Sequence, residues 1–228
     1  MATHAKKIKS LSQRIGVFVF ALLIAVAASA QISLSDARNL SDSQLHQLLL
    51  DEIGQDRYEN FADYRVDKDL SRKARRLGIT ESEMVGLLDY TAVGYRVMNI
   101  CLREHMSEES CQETVGVIEA ARRALSRMPN YRGTVSRTAT LPREALGIHV
   151  PGAILTYDSF TSTSIAPERL YGSQRFIIES KTGKDISWAS EIPKENEVLF
   201  APGTVFKVIS VEPSTEPGIQ VTIHMQEL

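Results

Sequence analysis

At Pro129 the chain changes its texture, and that change limits its fold more than any other feature. Ahead of it, apolar residues recur with a helical period. Met84, Leu87, Leu88, Tyr95, Met98 and Leu102 fall mostly three or four residues apart, and Val115, Ile118, Ala121 and Leu125 repeat the pattern. Ser41 with Gln44, Thr80 with Glu83 and Ser110 with Glu113 have the spacing of capping boxes, in which two side chains satisfy the free amides of a first turn. Behind it come short β-branched and aromatic runs between Gly and Pro turns, at 131–137, 153–157, 160–164, 175–179, 195–200, 204–211 and 219–225. Helices first and strands second predict an α+β protein with an N-terminal helical bundle. The turns at 201–203 and 213–218 can each reverse the chain, which predicts a meander of the last three strands.

Residues 1–30 stand apart. Lys6, Lys7, Lys9 and Arg14 precede an uncharged apolar run from Ile15 to Ala28, and Ala28-Ser29-Ala30 offers small residues for cleavage. A basic start, a short apolar centre and a small-residue exit are the parts of a secretory signal peptide, and the run is too short for a stable membrane anchor. The expected organisation is therefore a leader at 1–30, a helical part at 31–128 and a β-rich core at 129–228, exported to the periplasm or the cell exterior. With the leader's four basic residues set aside, 22 Lys+Arg face 28 Asp+Glu, a formal charge of −6 that argues against a nucleic-acid partner. Cys101 and Cys111 either close a disulfide, as an oxidising destination allows, or pack as two small apolar side chains. The basic runs at 72–76 and 122–127 read as solvated helix faces.

Several reaction classes have no support. No Gly-x-Gly-x-x-Gly turn follows a strand, and there is no phosphate loop and no His-Glu-x-x-His. His4, His46, His105, His149 and His224 lack ligand spacing, so no metal is expected. Three features do stand in a definite order: Tyr131-Arg132-Gly133, then Phe160-Thr161-Ser162-Thr163-Ser164, then Glu195-Asn196-Glu197 entering Val198-Leu199-Phe200. In this order, and in the flanks 183–187 and 201–206, the chain resembles the arginine-specific mono-ADP-ribosyltransferase toxins of the cholera-toxin and clostridial binary-toxin type. Asp89-Tyr90-Thr91, Tyr95, Asn99 and Leu102-Arg103 are similar to the helix before that family's core. The likeness covers roughly 87–225.

The resemblance implies a mixed or antiparallel two-sheet core forming a cleft for NAD, used as co-substrate, and transfer of ADP-ribose to an arginine of a target protein. It gives Glu197 the task of stabilising the oxocarbenium-like ribose left by departing nicotinamide, and Ser162 the task of holding that carboxylate. Residues i and i+2 of an extended chain face the same side, so Glu195 is expected in the same cleft, orienting the acceptor guanidinium. Arg132 supplies a fork of donors for the NAD phosphates, Gly133 lets the backbone approach the nicotinamide amide, and Thr163 and Ser164 shape the pocket floor. Arg175 is a second phosphate contact, Tyr171 or Phe176 a stacking surface, and Trp188 an exposed anchor for the partner. Two alternatives remain open: NAD hydrolysis with water as acceptor, and an inactive relative that binds NAD or a partner. About 198 residues after the leader are taken up by the helical part and the core, so either a separate delivery or translocation partner is expected or the substrate lies in the periplasm or outside the cell.

Overall fold

A computed structural model describes residues 32–67, 70–104, 111, 113–166 and 172–228. The leader, His4, His105, Ser110, Leu170 and Tyr171 lie outside them, as do the expectations placed on those residues. Gln31–Leu228 forms one compact unit.

Helices α1 (Leu34–Ala37), α2 (Asp42–Ile53), α3 (Gln55–Asp67), α4 (Leu70–Leu77), α5 (Glu81–Asp89), α6 (Tyr95–Glu104) and α7 (Val115–Arg127) make up the first part. Two expected capping boxes form: Ser41 with Gln44 opens α2, and Thr80 with Glu83 opens α5. Gly54 takes φ 78, a left-handed conformation that ends α2 and lets α3 start at the next residue. α5 and α7 approach closely because Gly86 has no side chain; an added Cβ would collide with Ala120 and lie 3.0 Å from the carbonyl of Val117. Leu45, Met84, Leu87, Leu88, Ile118 and Leu125 fill the core between them.

Buried charge pins this bundle. Glu83, wholly buried, accepts from the Thr80 backbone N–H at 2.9 Å and from Arg127 Nε at 2.7 Å. Glu119 receives both Arg122 and Arg123, and Arg123 also donates to the carbonyl of Leu40 at 2.7 Å. Within the 122–127 run Arg122 stays on α7 with Glu119, while Arg123 reaches the loop before α2 and Arg127 reaches α5, so the run is not only a solvated face. Removing the arginine from such a pair is destabilising, because the glutamate charge stays buried. The two cysteines are joined, Cα to Cα 5.4 Å, so the end of α6 is tied to the approach to α7.

Strands β1 (Gly133–Ala139), β2 (Ile154–Tyr157), β3 (Thr161–Ser164), β4 (Gln174–Ser180), β5 (Lys184–Asp185), β6 (Glu197–Phe200), β7 (Thr204–Pro213) and β8 (Val221–Glu227) follow, with a short helix α8 (Arg143–Gly147) after β1. They form one mixed sheet in the order β2-β7-β8-β4-β1-β3-β6-β5, in which only β4 and β8 run parallel. The fold class is thus α+β. The two-sheet expectation resolves into a continuous ladder pinched at one place: β1 and β3 meet only at Ser136 opposite Ser164. The expected terminal meander holds for β7 and β8 alone. After the turn at 201–203 the chain leaves β6, which pairs with β3 and β5, and crosses to β2 and β8. Packing explains the crossing, since Phe200 and Phe206 on either side of the turn meet edge to face at 5.1 Å within the second core.

Candidate active site

The site is built around the first residue of β6. Glu197 is 6% exposed, and its backbone is held by β3 on one side and by the Ile186 N–H, 3.0 Å from its carbonyl, on the other. Burial pushes its carboxyl up to about 7; a hydrogen bond from Ser162 opposes the shift and the charge of Glu195 adds to it. A carboxylate this dry, with one side-chain donor, keeps acceptor capacity for something else.

Ser162-Thr163-Ser164 divides three tasks between the two faces of β3. Ser162 serves Glu197 itself. Thr163 points the other way and donates to the Val198 carbonyl at 2.6 Å, so its hydroxyl is spent on the backbone rather than on a pocket floor. Ser164 donates to the Glu195 carbonyl at 2.7 Å and fixes the turn that precedes β6.

That turn corrects the expected extended Glu-x-Glu. Glu195 closes a 3-10 turn, Pro193–Glu195, and Asn196 is left-handed at φ 47. The pair is therefore not an i, i+2 pair of one strand. Glu195 is exposed on the turn and Glu197 buried in the strand, within electrostatic reach of each other. Asparagine tolerates the left-handed region better than most residues, which is the local reason the kink falls there.

The phosphate-binding candidates fall differently. Arg132 is exposed and precedes β1 instead of lying on it. Ser136, Ser164 and Glu197 share one row across β1, β3 and β6, so Arg132 starts four residues, roughly 13 Å, along the strand from that row. No ion pair joins Arg132 to Glu197 among the described residues. An added Cβ on Gly133 would lie 3.2 Å from the Tyr131 hydroxyl, so the ring of Tyr131 covers that glycine. Arg175 is paired with Glu216 in the turn between β7 and β8, and its buried Nε has no partner. Phe176 is packed in the second core, 5.5 Å from the His149 ring. Trp188 is not an exposed anchor: it packs on the helical core under Lys73, whose Nζ lies 4.6 Å from the ring.

Arg137 is the residue that the motif reading missed. It is half-buried on β1, and desolvation lowers its pKa; its electrostatic neighbours are Tyr157, Tyr90 and Arg103, with no carboxylate among them. Arg103 and Arg137 line a cavity of about 260 Å³ with Tyr157, His149, Thr161 and Phe176. The sequence signal was an arginine two residues after the buried Val135, on the inward side of a strand. Tyr90 connects this cavity to the carboxylate, because it feels both Arg137 and Glu197, and burial with the Glu197 charge raises its pKa. A π-helical turn, Tyr90–Gly94, places it there, and Gly94 is required because a Cβ would strike the Asp89 carboxylate. Asn99 bonds Tyr90, yet its own Oδ1 is buried without a donor. His149 is structural: the Ala145 carbonyl can only accept, so Nδ1 carries the proton, and Nε2 receives the Tyr157 hydroxyl at 2.6 Å.

Comparison with known proteins matches this architecture. The model of the ADP-ribosyltransferase exoenzyme family matches residues 54–226. Over 144 residues, 60% of this chain, it is 37% identical to the putative NAD(+)–arginine ADP-ribosyltransferase Mav of Mycobacterium avium, but it spans only 17% of that protein's length. It is 31% identical over 144 residues to the NAD(+)–protein-arginine ADP-ribosyltransferase Tre1 of Pseudomonas putida, covering 62% of this chain and 28% of Tre1. The crystal structure of the type III effector XopAI from Xanthomonas axonopodis pv. citri superposes with a TM-score of 0.70 at 21% identity, over 83% of this chain and 89% of that one. With the family model spanning the helices from α3 onward and nearly the whole sheet, the chain belongs to the ADP-ribosyltransferase exoenzyme family.

Proposed function

We propose that this protein transfers ADP-ribose from NAD to an arginine side chain of a target protein. The observation that carries the reading is a buried Glu197, held by Ser162, flanked on the adjoining turn by Glu195 and linked through Tyr90 to Arg137, which with Arg103 lines a cavity and has no carboxylate partner among the described residues. These residues suit NAD as a substrate. Arg137 and Arg103 offer positive charge for its diphosphate, Arg132 just ahead of β1 keeps the phosphate role its motif implies, and the unpaired Asn99 Oδ1 awaits a donor. Arg175 is committed to Glu216 and is left out.

In this reaction the bond between the ribose carbon and nicotinamide breaks, and nicotinamide leaves with the electron pair. Glu197, once ionised, supplies the negative charge that the cationic ribose lacks. A guanidinium nitrogen then bonds to that carbon and gives up one proton. Glu195, exposed beside the cleft, orients the guanidinium and assists the loss of that proton. Mav and Tre1, which carry arginine in their names, support the choice of acceptor. Labelled NAD with agmatine tests it. The parent modifies agmatine, and Glu195→Gln still releases nicotinamide while modification of agmatine drops about a hundredfold. Nicotinamide release that agmatine never accelerates, and that Glu195→Gln leaves unchanged, would replace transfer by hydrolysis.

Residues 1–30 keep their reading as an export leader cleaved near Ala30, which an intact mass of exported protein beginning at Gln31 checks. Among the described residues no helix is long and apolar enough to cross a membrane.

A further inference from the structure

Ser136 stands at the pinch in the sheet, where β1 meets β3, and the reaction above makes no use of it. Residues paired across a ladder project to the same face, so the pairing of Ser136 with Ser164 and of Ser164 with Glu197 puts Ser136 on the Glu197 side of the sheet. Two strand spacings, about 9–10 Å, separate the two backbones. Leu199, on that face of β6, packs into the helical core, whereas Ile177, opposite Ser136 on β4, is half-buried. Ser136 thus lies at the margin of the helical cover, where the floor of a cleft can open.

Its hydroxyl is unspent. Ser136 is 7% exposed, yet its side chain makes no hydrogen bond among the described residues. Nearby buried hydroxyls behave differently: Thr163 donates to the Val198 carbonyl and Ser180 to the Tyr131 carbonyl. Withdrawing a hydroxyl from water without a partner opposes folding, so this one calls for a partner from outside the chain. Room exists for it, because the unpaired side-chain atoms fully sealed from solvent among the described residues are Asn99 Oδ1 and Arg175 Nε, and the Ser136 hydroxyl is not one of them.

We propose that Ser136 contacts NAD, its hydroxyl bonding to a hydroxyl of the ribose that carries nicotinamide. The proposal rests on the transfer reading above, in which Glu197 acts on that same ribose. Two hydrogen bonds with a sugar ring between them fit the separation of Ser136 from Glu197. A serine can donate or accept, which suits a sugar hydroxyl and adds no charge beside the developing cation. Ser136 thereby holds the ring from its far side while Glu197 faces the bond to nicotinamide.

Ser136→Ala removes the hydroxyl and little else. Titration calorimetry with ADP-ribose, which keeps that ribose, and with ADP, which lacks it, reads the contact. The variant binds ADP-ribose about three- to tenfold more weakly than the parent and binds ADP equally well. Its Tm without ligand does not fall, because the lost group had no partner in the protein. Unchanged affinity for ADP-ribose, or an equal weakening of ADP, overturns the proposal. A lower Tm overturns it too, since the hydroxyl would then be bonded within the fold. Failure to modify agmatine in a parent that binds ADP-ribose through Ser136 defeats the transfer reading alone; a parent that does not bind ADP-ribose overturns the contact.

Discussion

Glu52, half-buried, and Glu197, buried, lie in different parts of the protein, and desolvation pushes each carboxyl up to about 7. Their company differs. Glu52 accepts from the Gly116 N–H at 2.6 Å and the Val117 N–H at 3.0 Å, standing in for the side-chain cap that Thr114 does not give to α7. Both of its oxygens are thus consumed by backbone. Glu197 has Ser162 alone among its side-chain donors, feels Glu195, and is linked through Tyr90 to Arg137 of the arginine-lined cavity. A displaced carboxyl is therefore no mark of chemistry by itself; unspent acceptor capacity is.

The largest effect expected from this contrast is catalytic. Glu197→Gln should slow nicotinamide release from NAD on the order of a thousandfold, whereas Glu52→Gln should leave it within a few-fold. Chromatography of released nicotinamide measures both, and comparable losses would erase the distinction between the two sites. Arg137→Gln comes next. Losing a charge-assisted contact to the diphosphate should raise KM for NAD roughly tenfold or more, with a smaller change in kcat. An unchanged KM would move the phosphate site away from Arg137, towards Arg132.

These two sites also show what sequence could and could not reveal. Caps such as Ser41 with Gln44 are encoded within four residues, so they were legible, as was the order of Arg132, Ser162 and Glu197. Glu52 was not, because its partners Gly116 and Val117 lie more than sixty residues away and only packing brings them together. Arg137 was hidden for the same reason: its meaning depends on Arg103, Tyr90 and Tyr157, which belong to other elements. Strand order was illegible as well, since the turn at 201–203 looks like a hairpin and only the packing of Phe206 in the second core sends β7 elsewhere. Asn196, by contrast, carried a readable signal, a residue type tolerant of φ 47 between two glutamates, which the extended reading overlooked.

The smallest effect separates the glutamates through stability. In both, the folded protein holds its proton up to about pH 7 while the unfolded chain releases it near 4.5, so the folded state binds more protons across that window. Stability is then full below about 4.5, falls as pH rises towards 7 and flattens above, with each group costing on the order of 3 kcal/mol at pH 8. An amide cannot ionise, so Glu197→Gln should relieve that cost and raise Tm by several degrees at pH 8 while changing little at pH 4. Glu52→Gln should gain far less, because the new NH2 group would confront the N–H of Gly116 or Val117 and leave a helix terminus short of an acceptor. Thermal melts of the two variants and the parent at pH 4 and pH 8 make the comparison. A gain confined to Glu197→Gln identifies a carboxylate kept for its charge at the expense of the fold; equal gains would mean that the backbone bonds of Glu52 contribute nothing.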